Sequence, residues 1–304
     1  FRQQLLQTFG LYDGLKTVRQ TIRTTTDRDL LLRFMVATLI ATGACSTLQP
    51  PDPNGPRSNA PPYPVLLLDE GTRQEEALLA WRQLAQRYGV SNQAEISLNP
   101  LTATINALPG NATPIVLPKV GTGSTQTEEE NRESLRRFID EWRSVIGAEP
   151  NELSLVERAD ESANVKRAHY EQRPFRYALR GGYGDLIIRF NNNRQILELS
   201  SNCIRNTERL QTTLSNLKPN VTAEEAVSHV RGKTFIISTV RGQQSFTLSA
   251  NEPAEAKQLV IYALPSKVKT NLLELRLAWE IETPNATVKR VYLDAVSDEV
   301  IAAT

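Results

Sequence analysis

The side chains best suited to metal binding or nucleophilic catalysis are few in this chain of 304 residues, which contains two histidines and two cysteines. A zinc site gathers several Cys, His or carboxylate ligands in one cluster, whereas His169, His229, Cys45 and Cys203 are far apart in the sequence. Glu225 and His229 are spaced to share one helix face, but a lone pair of this kind is typical of a solvated surface. The sequence therefore predicts no metal site and no cofactor.

Motifs that mark catalytic machinery are also missing from the sequence. It contains no H-E-x-x-H, no G-x-S-x-G, no P-loop and no dinucleotide-binding glycine pattern. The glycine-rich run at 181–184 precedes a predicted strand, so it indicates a tight bend and not the phosphate-binding start of a helix. Cys203 has no neighbouring base in SSNCIRN, which favours a free structural thiol or a disulfide partner over a nucleophile. We therefore predict that the chain is not an enzyme.

One stretch, Lys166–Arg189, is locally basic, with six Lys or Arg against two acidic residues and interleaved aromatic rings. Such interleaving suits polyanion binding, but a sheet face with arginine stems lying over apolar neighbours has the same pattern. The net charge of the whole chain is +1, so no global field attracts nucleic acid. The stretch supplies candidate residues for a protein interface: Tyr170, Phe175, Arg176, Tyr177, Arg180 and Tyr183.

The amino-terminal region has the proportions of an export signal. An apolar run of 11 residues, Phe34–Ala44, follows several arginines and is too short to span a bilayer, which needs about 20. The small residues before Cys45 resemble a bacterial lipobox, although the leucine expected three positions before the cysteine is absent. A buried amphipathic helix also fits the spacing. The segment 46–64 has seven prolines in nineteen residues and is predicted to be a linker.

The elements that must position these residues are predicted from periodicity and capping signals. Three capping boxes begin at Thr72, Thr127 and Thr222, and each predicted helix is followed by a glycine. Alternating apolar residues predict nine strands, at 153–158, 165–173, 184–190, 195–200, 235–240, 244–249, 258–263, 274–282 and 288–294. This combination predicts the α+β class, with antiparallel sheets that have one solvated face and amphipathic helices packed on the other.

The hairpin at 177–201 illustrates the pattern. Leu186, Ile188 and Phe190 alternate with less apolar neighbours, and the asparagines at 191–193 are predicted to provide the left-handed backbone of the turn. Residues 99–126 show little periodicity and are predicted to be a loop. The predicted organisation comprises a signal-like or helical segment (1–45), the linker (46–64), a small helical unit with a loop (65–126) and two further domains (127–205 and 217–304).

The last two domains resemble a known pair of modules. The helix near 131–146, the run HYEQ with a following aromatic turn and glycine pair, and the hairpin GDLIIRFNNNRQILELSS resemble the fungalysin/thermolysin propeptide domain. VTAEEAVSHV and LAWEIETPNATVKRVYLDAVSDEVIAA resemble the helix and closing hairpin of a PepSY domain. No peptidase domain follows within the sequence.

The resemblance implies a function of protein binding. In that family the propeptide assists folding of its peptidase and blocks the active cleft. We therefore expect an exported, non-catalytic protein that binds, restrains or helps to fold a partner such as a thermolysin-like metallopeptidase. If the lipobox is genuine, lipid at Cys45 anchors it to the membrane; otherwise it is periplasmic or secreted. The alternatives are a propeptide fragment of a longer secreted zinc metallopeptidase and a polyanion-binding module of the cell envelope.

Overall fold

The computed structural model describes residues 63–67, 71–91, 95–109, 115–121, 127–239, 242–267, 272–284 and 286–304. The predicted signal-like segment, Cys45 and nearly all of the proline-rich linker lie outside these residues. By their contacts, Ser58–Thr304 form one compact unit. Within the described residues, no helix is long and apolar enough to cross a membrane.

The described residues form four α-helices and several sheets, which confirms the α+β class. The helices are α1 (Thr72–Arg87), α2 (Glu128–Ile146), α3 (Thr207–Ser215) and α4 (Ala223–Val230), and a 3₁₀ turn spans Pro150–Glu152. The first eight strands are β1 (Val65–Leu67), β2 (Ser97–Leu98), β3 (Ile105–Ala107), β4 (Leu153–Ser162), β5 (Val165–Gln172), β6 (Ala178–Arg180), β7 (Asp185–Asn191) and β8 (Ile196–Ser201). The remaining strands are β9 (Thr234–Thr239), β10 (Gly242–Thr247), β11 (Glu255–Pro265), β12 (Leu273–Glu282), β13 (Arg290–Asp294) and β14 (Val300–Ala303).

A four-stranded antiparallel sheet has the order β4-β5-β7-β8. Its strands alternate as predicted, with Leu186, Ile188 and Phe190 of β7 buried and the residues between them half-buried. These side chains belong to one hydrophobic cluster together with Phe138 and Trp142 of α2 and apolar residues of α1. The 3.6-residue apolar period of α2 places its buried residues on one stripe, as an amphipathic helix requires.

A six-stranded sheet is built mainly from the carboxy-terminal residues, in the order β14-β13-β12-β11-β6. β1 pairs with the beginning of β12, and β13 pairs with its end. β6 pairs parallel with β11, so Ala178–Arg180 leave the first sheet and join the second. The strands β2–β3 and β9–β10 form two separate two-stranded sheets.

Local details differ from several sequence predictions. Thr72 is not a helix cap: Gly71, with φ 66°, precedes α1 and no side chain caps it. The left-handed residue of the β7–β8 turn is Arg194, with φ 65°, and not one of the asparagines. Asn191 Oδ1 accepts hydrogen bonds from the backbone N–H groups of Asn193 and Gln195 and so forms an Asx-type turn. This turn places Arg194 in the left-handed position.

The stretch 99–126 was predicted to be a loop, and this prediction is wrong for part of it. Ile105 lies in β3, and Ile115 and Leu117 are buried in the same cluster as α2. Ile115 and Leu117 also exchange backbone hydrogen bonds with the β7–β8 hairpin. The periodicity is weak because each apolar run is only three residues long.

The predicted solvated face of β12 is also wrong in part. Leu275 and Leu277 are buried on one face as expected, but Glu274 and Glu280 on the opposite face are buried too. Arginine partners make this possible, because a buried carboxylate needs a cation or hydrogen-bond donors to replace water. Arg276 contacts Glu274 at 2.8 Å, and Arg180 contacts Glu280 at 3.5 Å.

Candidate functional site

The residues closest to a catalytic arrangement are His169, Asp185 and Cys203. His169 Nε2 lies 2.8 Å from Asp185 Oδ1, and the Cys203 thiol lies 3.8 Å from the backbone oxygen of Asp185. Cys203 is a free thiol that is fully buried, and burial raises its pKa to about 12. His169 is on the opposite side of β5 from the buried Ala168 and Tyr170, so the imidazole and the thiol face different environments. This arrangement keeps the thiol protonated and unreactive.

Among the residues that the structure describes, no group of three or more His, Cys, Asp or Glu side chains is placed to hold a metal ion. His229 Nδ1 instead lies 2.6 Å from Asp298 Oδ1, and Glu225 accepts the backbone N–H of Thr222 in a capping box. The Glu225–His229 pair of the sequence therefore consists of two residues with separate structural partners.

The six predicted interface residues do not form one patch. Tyr170 and Phe175 are each only 9% exposed, and their rings belong to different hydrophobic clusters. Burial raises the pKa of Tyr170 to about 12, so its hydroxyl is neutral. Arg176 is exposed and lies over the ring of Tyr177 at 5.3 Å.

The last two predicted interface residues, Arg180 and Tyr183, lie on either side of Gly181 and Gly182. Tyr183 is half-buried against the cluster below the six-stranded sheet, and Arg180 contacts the buried Glu280. Tyr170 and Phe175 offer little accessible surface. The prediction of a protein interface in this stretch therefore depends on Arg176, Tyr177, Arg180 and Tyr183.

Three arginines of the basic stretch Lys166–Arg189, namely Arg167, Arg180 and Arg189, form ion pairs with acidic residues outside it. Arg167 contacts Glu157 at 2.8 Å, and Arg189 contacts Glu161 at 2.7 Å and Glu198 at 3.0 Å. These partners come from the neighbouring strands β4 and β8, so a count along the chain misses them. The pairing favours the interpretation of a charged sheet face over that of a polyanion site.

A groove with a different character lies between α2 and the beginning of β4. It has a volume of about 370 Å³ and an apolar floor with two arginines at its side. The described lining includes Arg132, Arg136, Ile139, Leu153, Leu155 and Tyr170. Leu155 and the neighbouring Val156 are 36% and 40% exposed, which is unusual for two consecutive large apolar residues on a strand.

The strand beside this groove has an edge that no other described strand covers. The opposite edge of the sheet, β8, is bordered by 115–117, through the Val116–Gln195 bridge and the flanking backbone hydrogen bonds. β4 is the last strand in the order, and it is ten residues long. Ser154 of β4 lies opposite Glu171 of β5. The next residue of β5, Gln172, donates its backbone N–H to Gly184 on the β7 side, so the backbone groups of Glu171 point toward β4. By the alternation of an antiparallel ladder, the N–H and C=O of Leu155 therefore point outward.

Sequence reasoning missed these residues, although a signal was present. Leu155 and Val156 are consecutive apolar residues, which breaks the strict alternation of a strand with one buried face. In the structure the register shifts between Leu155 and Glu157, so Val156 is the extra residue of a β-bulge. A break of this kind in an otherwise alternating strand indicates an edge or a bulge.

The two arginines of the groove form ion pairs with glutamates of the same helix, and solvent screens these pairs. Arg132 contacts Glu128 at 3.3 Å, and Arg136 contacts Glu133 at 2.7 Å, with both guanidinium groups more than half exposed. Hydrogen bonds from Arg136 and Arg137 lower the pKa of Glu133 to about 2. Exposed pairs along a helix contribute little stability, and both arginine side chains remain more than half exposed to solvent.

No family model and no curated protein matches this chain.

Proposed function

We propose that this protein is a non-catalytic binding protein that holds an extended segment of another polypeptide against the outer edge of β4. The observation that carries the proposal is the uncovered edge of β4 beside an apolar groove, together with the exposed Leu155 and Val156. An added strand pairs with outward backbone groups, and its alternate side chains enter the neighbouring groove. The groove's arginines favour a segment with acidic residues next to apolar ones.

The class of the partner is proposed from the resemblance to the fungalysin/thermolysin propeptide and PepSY domains. We propose that residues 127–304 are two propeptide/PepSY-like modules, whose helices cover one face of the sheets, and that the partner is a peptidase of the thermolysin-like class or a comparable envelope protein. Export, with lipid attachment at Cys45, belongs to the same proposal. The burial of Cys203 and the separate partners of His169 and His229 support a non-catalytic role.

A backbone substitution at the edge tests the proposal directly. Proline is tolerated on edge strands but has no N–H to donate, so Leu155→Pro removes one outward donor. Leu155→Ala is the matched control, because it shortens the side chain and keeps the N–H. Inhibition of a co-encoded or thermolysin-like metallopeptidase is measured by titrating each full-length variant into an activity assay.

We expect Leu155→Pro to weaken inhibition roughly tenfold or more, since a hydrogen bond lost at a desolvated interface is worth about 1.4 kcal/mol or more. Leu155→Ala should weaken it less. Circular dichroism verifies that both variants are folded. The proposal fails if the native chain neither inhibits the peptidase nor alters its maturation, or if the proline and alanine variants behave alike.

The alternative of a propeptide fragment predicts the same surface and differs only in what the gene encodes. An H-E-x-x-H motif downstream of Thr304 in the reading frame would establish it, and a stop codon there would dismiss it.

A further inference from the structure

A second cavity, separate from the β4 groove, lies where the end of α2, the 3₁₀ turn and the beginning of α3 meet. It has a volume of about 530 Å³ and a predominantly polar lining. The lining includes Arg143, Ser144, Glu149, Glu152, Arg205 and Thr207. Two stretches that are distant in sequence, 143–152 and 205–209, therefore converge with Glu76 of α1 on one space that the proposed function does not use.

Arg205 is the unusual member of this lining. Only 9% of its surface is exposed, and one hydrogen bond from Nη2 to the backbone oxygen of Ser144 is formed. Its Nε–H finds no acceptor, and no carboxylate lies within ion-pair distance of its guanidinium among the described residues. A buried cation without a counter-ion is costly, and burial accordingly lowers the pKa of Arg205. Among the described residues, the guanidinium of Arg205 therefore has no carboxylate within ion-pair distance.

The beginning of α3 adds a second source of positive potential. The residue before the helix, Asn206, has a left-handed backbone with φ 55° and its side chain caps no N–H group. The first residues of this nine-residue helix line the cavity. The free N–H groups and the helix dipole of such an end favour an anion.

The carboxylates around the cavity do not neutralise Arg205. Glu152 is engaged on both oxygens, by the Thr207 hydroxyl and by the N–H of Glu149. Glu76, Glu149 and Glu208 are exposed. The charge of Glu76 raises the pKa of Arg205, but burial lowers it by more. Arg205 thus provides a positive charge at the buried end of the cavity. At the rim, the exposed part of the lining, three glutamates, Glu76, Glu149 and Glu208, outnumber two arginines, Arg143 and Arg209.

We infer that this cavity binds the carboxylate of a small zwitterion, such as a free amino acid or the carboxy-terminal residues of a peptide. The carboxylate lies between Arg205 and the first turn of α3, and the ligand's ammonium group lies among the glutamates of the rim. A charged hydrogen bond to a buried guanidinium is strong, so it orients the ligand with its carboxylate toward Arg205. A dianion such as phosphate fits less well, because the rim repels its second charge.

Titration calorimetry on the full chain tests the inference, with trialanine as the probe. We expect amidation of the peptide's carboxyl group to weaken binding roughly tenfold or more and acetylation of its amino group to weaken it severalfold. Binding of free alanine as tightly as trialanine identifies amino acids as the ligands, and binding of trialanine alone identifies peptide ends. Equal binding of trialanine and its amide, no binding of either, or tighter binding of inorganic phosphate overturns the inference.

Substitutions locate the site. Arg205→Gln should weaken trialanine binding about tenfold, whereas Arg137→Gln, an exposed arginine of α2 outside the described lining, should leave it unchanged. If Arg205→Gln does not fold, the double variant Glu76→Gln/Glu208→Gln replaces it, since both residues are exposed. That variant should reduce the preference for a free over an acetylated amino group, and an unchanged preference overturns the inference.

Discussion

Glu280 gathers four polar partners around one carboxylate on β12. Gln258 donates to Oε2 at 2.7 Å, Tyr292 donates to Oε1 at 3.1 Å, and Arg180 and Arg290 lie 3.5 and 3.7 Å from Oε1. Burial raises the pKa of Glu280, but the hydrogen bond from Gln258 and the charge of Arg180 outweigh it and leave the pKa below its usual range. Its contribution to stability is therefore present above the unfolded pKa and is lost as the pH falls through the folded pKa.

This arrangement predicts unequal costs for two glutamates of the same strand. Glu280→Ala should lower the free energy of unfolding by about 2 to 3 kcal/mol, because it leaves Arg180 and Tyr292 without their acceptor in a buried site. Glu282→Ala removes a half-buried carboxylate whose partner, Lys257, lies 3.8 Å away, and it should cost about 0.5 kcal/mol or less. Urea unfolding at neutral pH measures both. Equal costs would show that the face of β12 is solvated, as the alternation alone predicts.

At the scale of elements, the three capping boxes of the sequence have different fates. Thr127 and Thr222 accept the N–H of Glu130 and Glu225 and complete the reciprocal bond, whereas Thr72 is the first residue inside α1. Gly71 occupies the cap position there. The same four-residue pattern therefore caps a helix only where the threonine itself has extended backbone and stands just before the helix, as Thr127 and Thr222 do.

This difference leads to a prediction with an internal control. Thr127→Ala should lower the free energy of unfolding by about 1 kcal/mol, since an N-cap side chain contributes this much. Thr72→Ala should cost less than about 0.5 kcal/mol, because alanine is a better helix former and no cap is lost. Chemical denaturation of the two variants under identical conditions makes the comparison. A loss for Thr72→Ala as large as that for Thr127→Ala would contradict the assignment of Gly71 as the cap.

Local periodicity predicted most of the long strands and three of the helices, because burial on one face is recorded in the spacing of apolar residues. α3 was missed: it has no capping side chain, and only its apolar pair Leu210 and Leu214 signals a helix. The β4 edge and the Arg205 cavity were also missed. Each depends on segments that are distant in sequence, such as Ser144 against Arg205, and no local pattern encodes such contacts.

At the scale of the whole molecule, β6 links the two large sheets. Ala178–Arg180 follow β5 in the chain but pair with Val260–Tyr262 of β11. The bend after β6 approaches that strand closely: a Cβ atom at Gly181 would lie 1.9 Å from the backbone oxygen of Ala263. A side chain at Gly181 would therefore push β6 away from β11. Gly182, the next residue, would place its Cβ in open space.

The two glycines provide a matched test of this link. Both have positive φ, of 99° and 77°, so each alanine variant incurs the left-handed penalty of about 1 kcal/mol. Only Gly181→Ala adds the collision with the backbone of Ala263. We expect this variant to lower the free energy of unfolding by about 2 to 4 kcal/mol in all. Unfolding of each intact chain is followed by nuclear magnetic resonance in increasing urea, with the backbone amides of β7 as reporters of the first sheet and those of β12 as reporters of the six-stranded sheet.

In the native chain and in Gly182→Ala the two sets of amides should report the same urea midpoint, since a linked structure unfolds in one transition. In Gly181→Ala the midpoints should separate, because the sheets lose the strand that joins them. If the two midpoints remain coincident and Gly181→Ala costs no more than Gly182→Ala, β6 does not couple the sheets. The cooperativity of the molecule would then arise from other contacts, such as the pairing of β1 with β12.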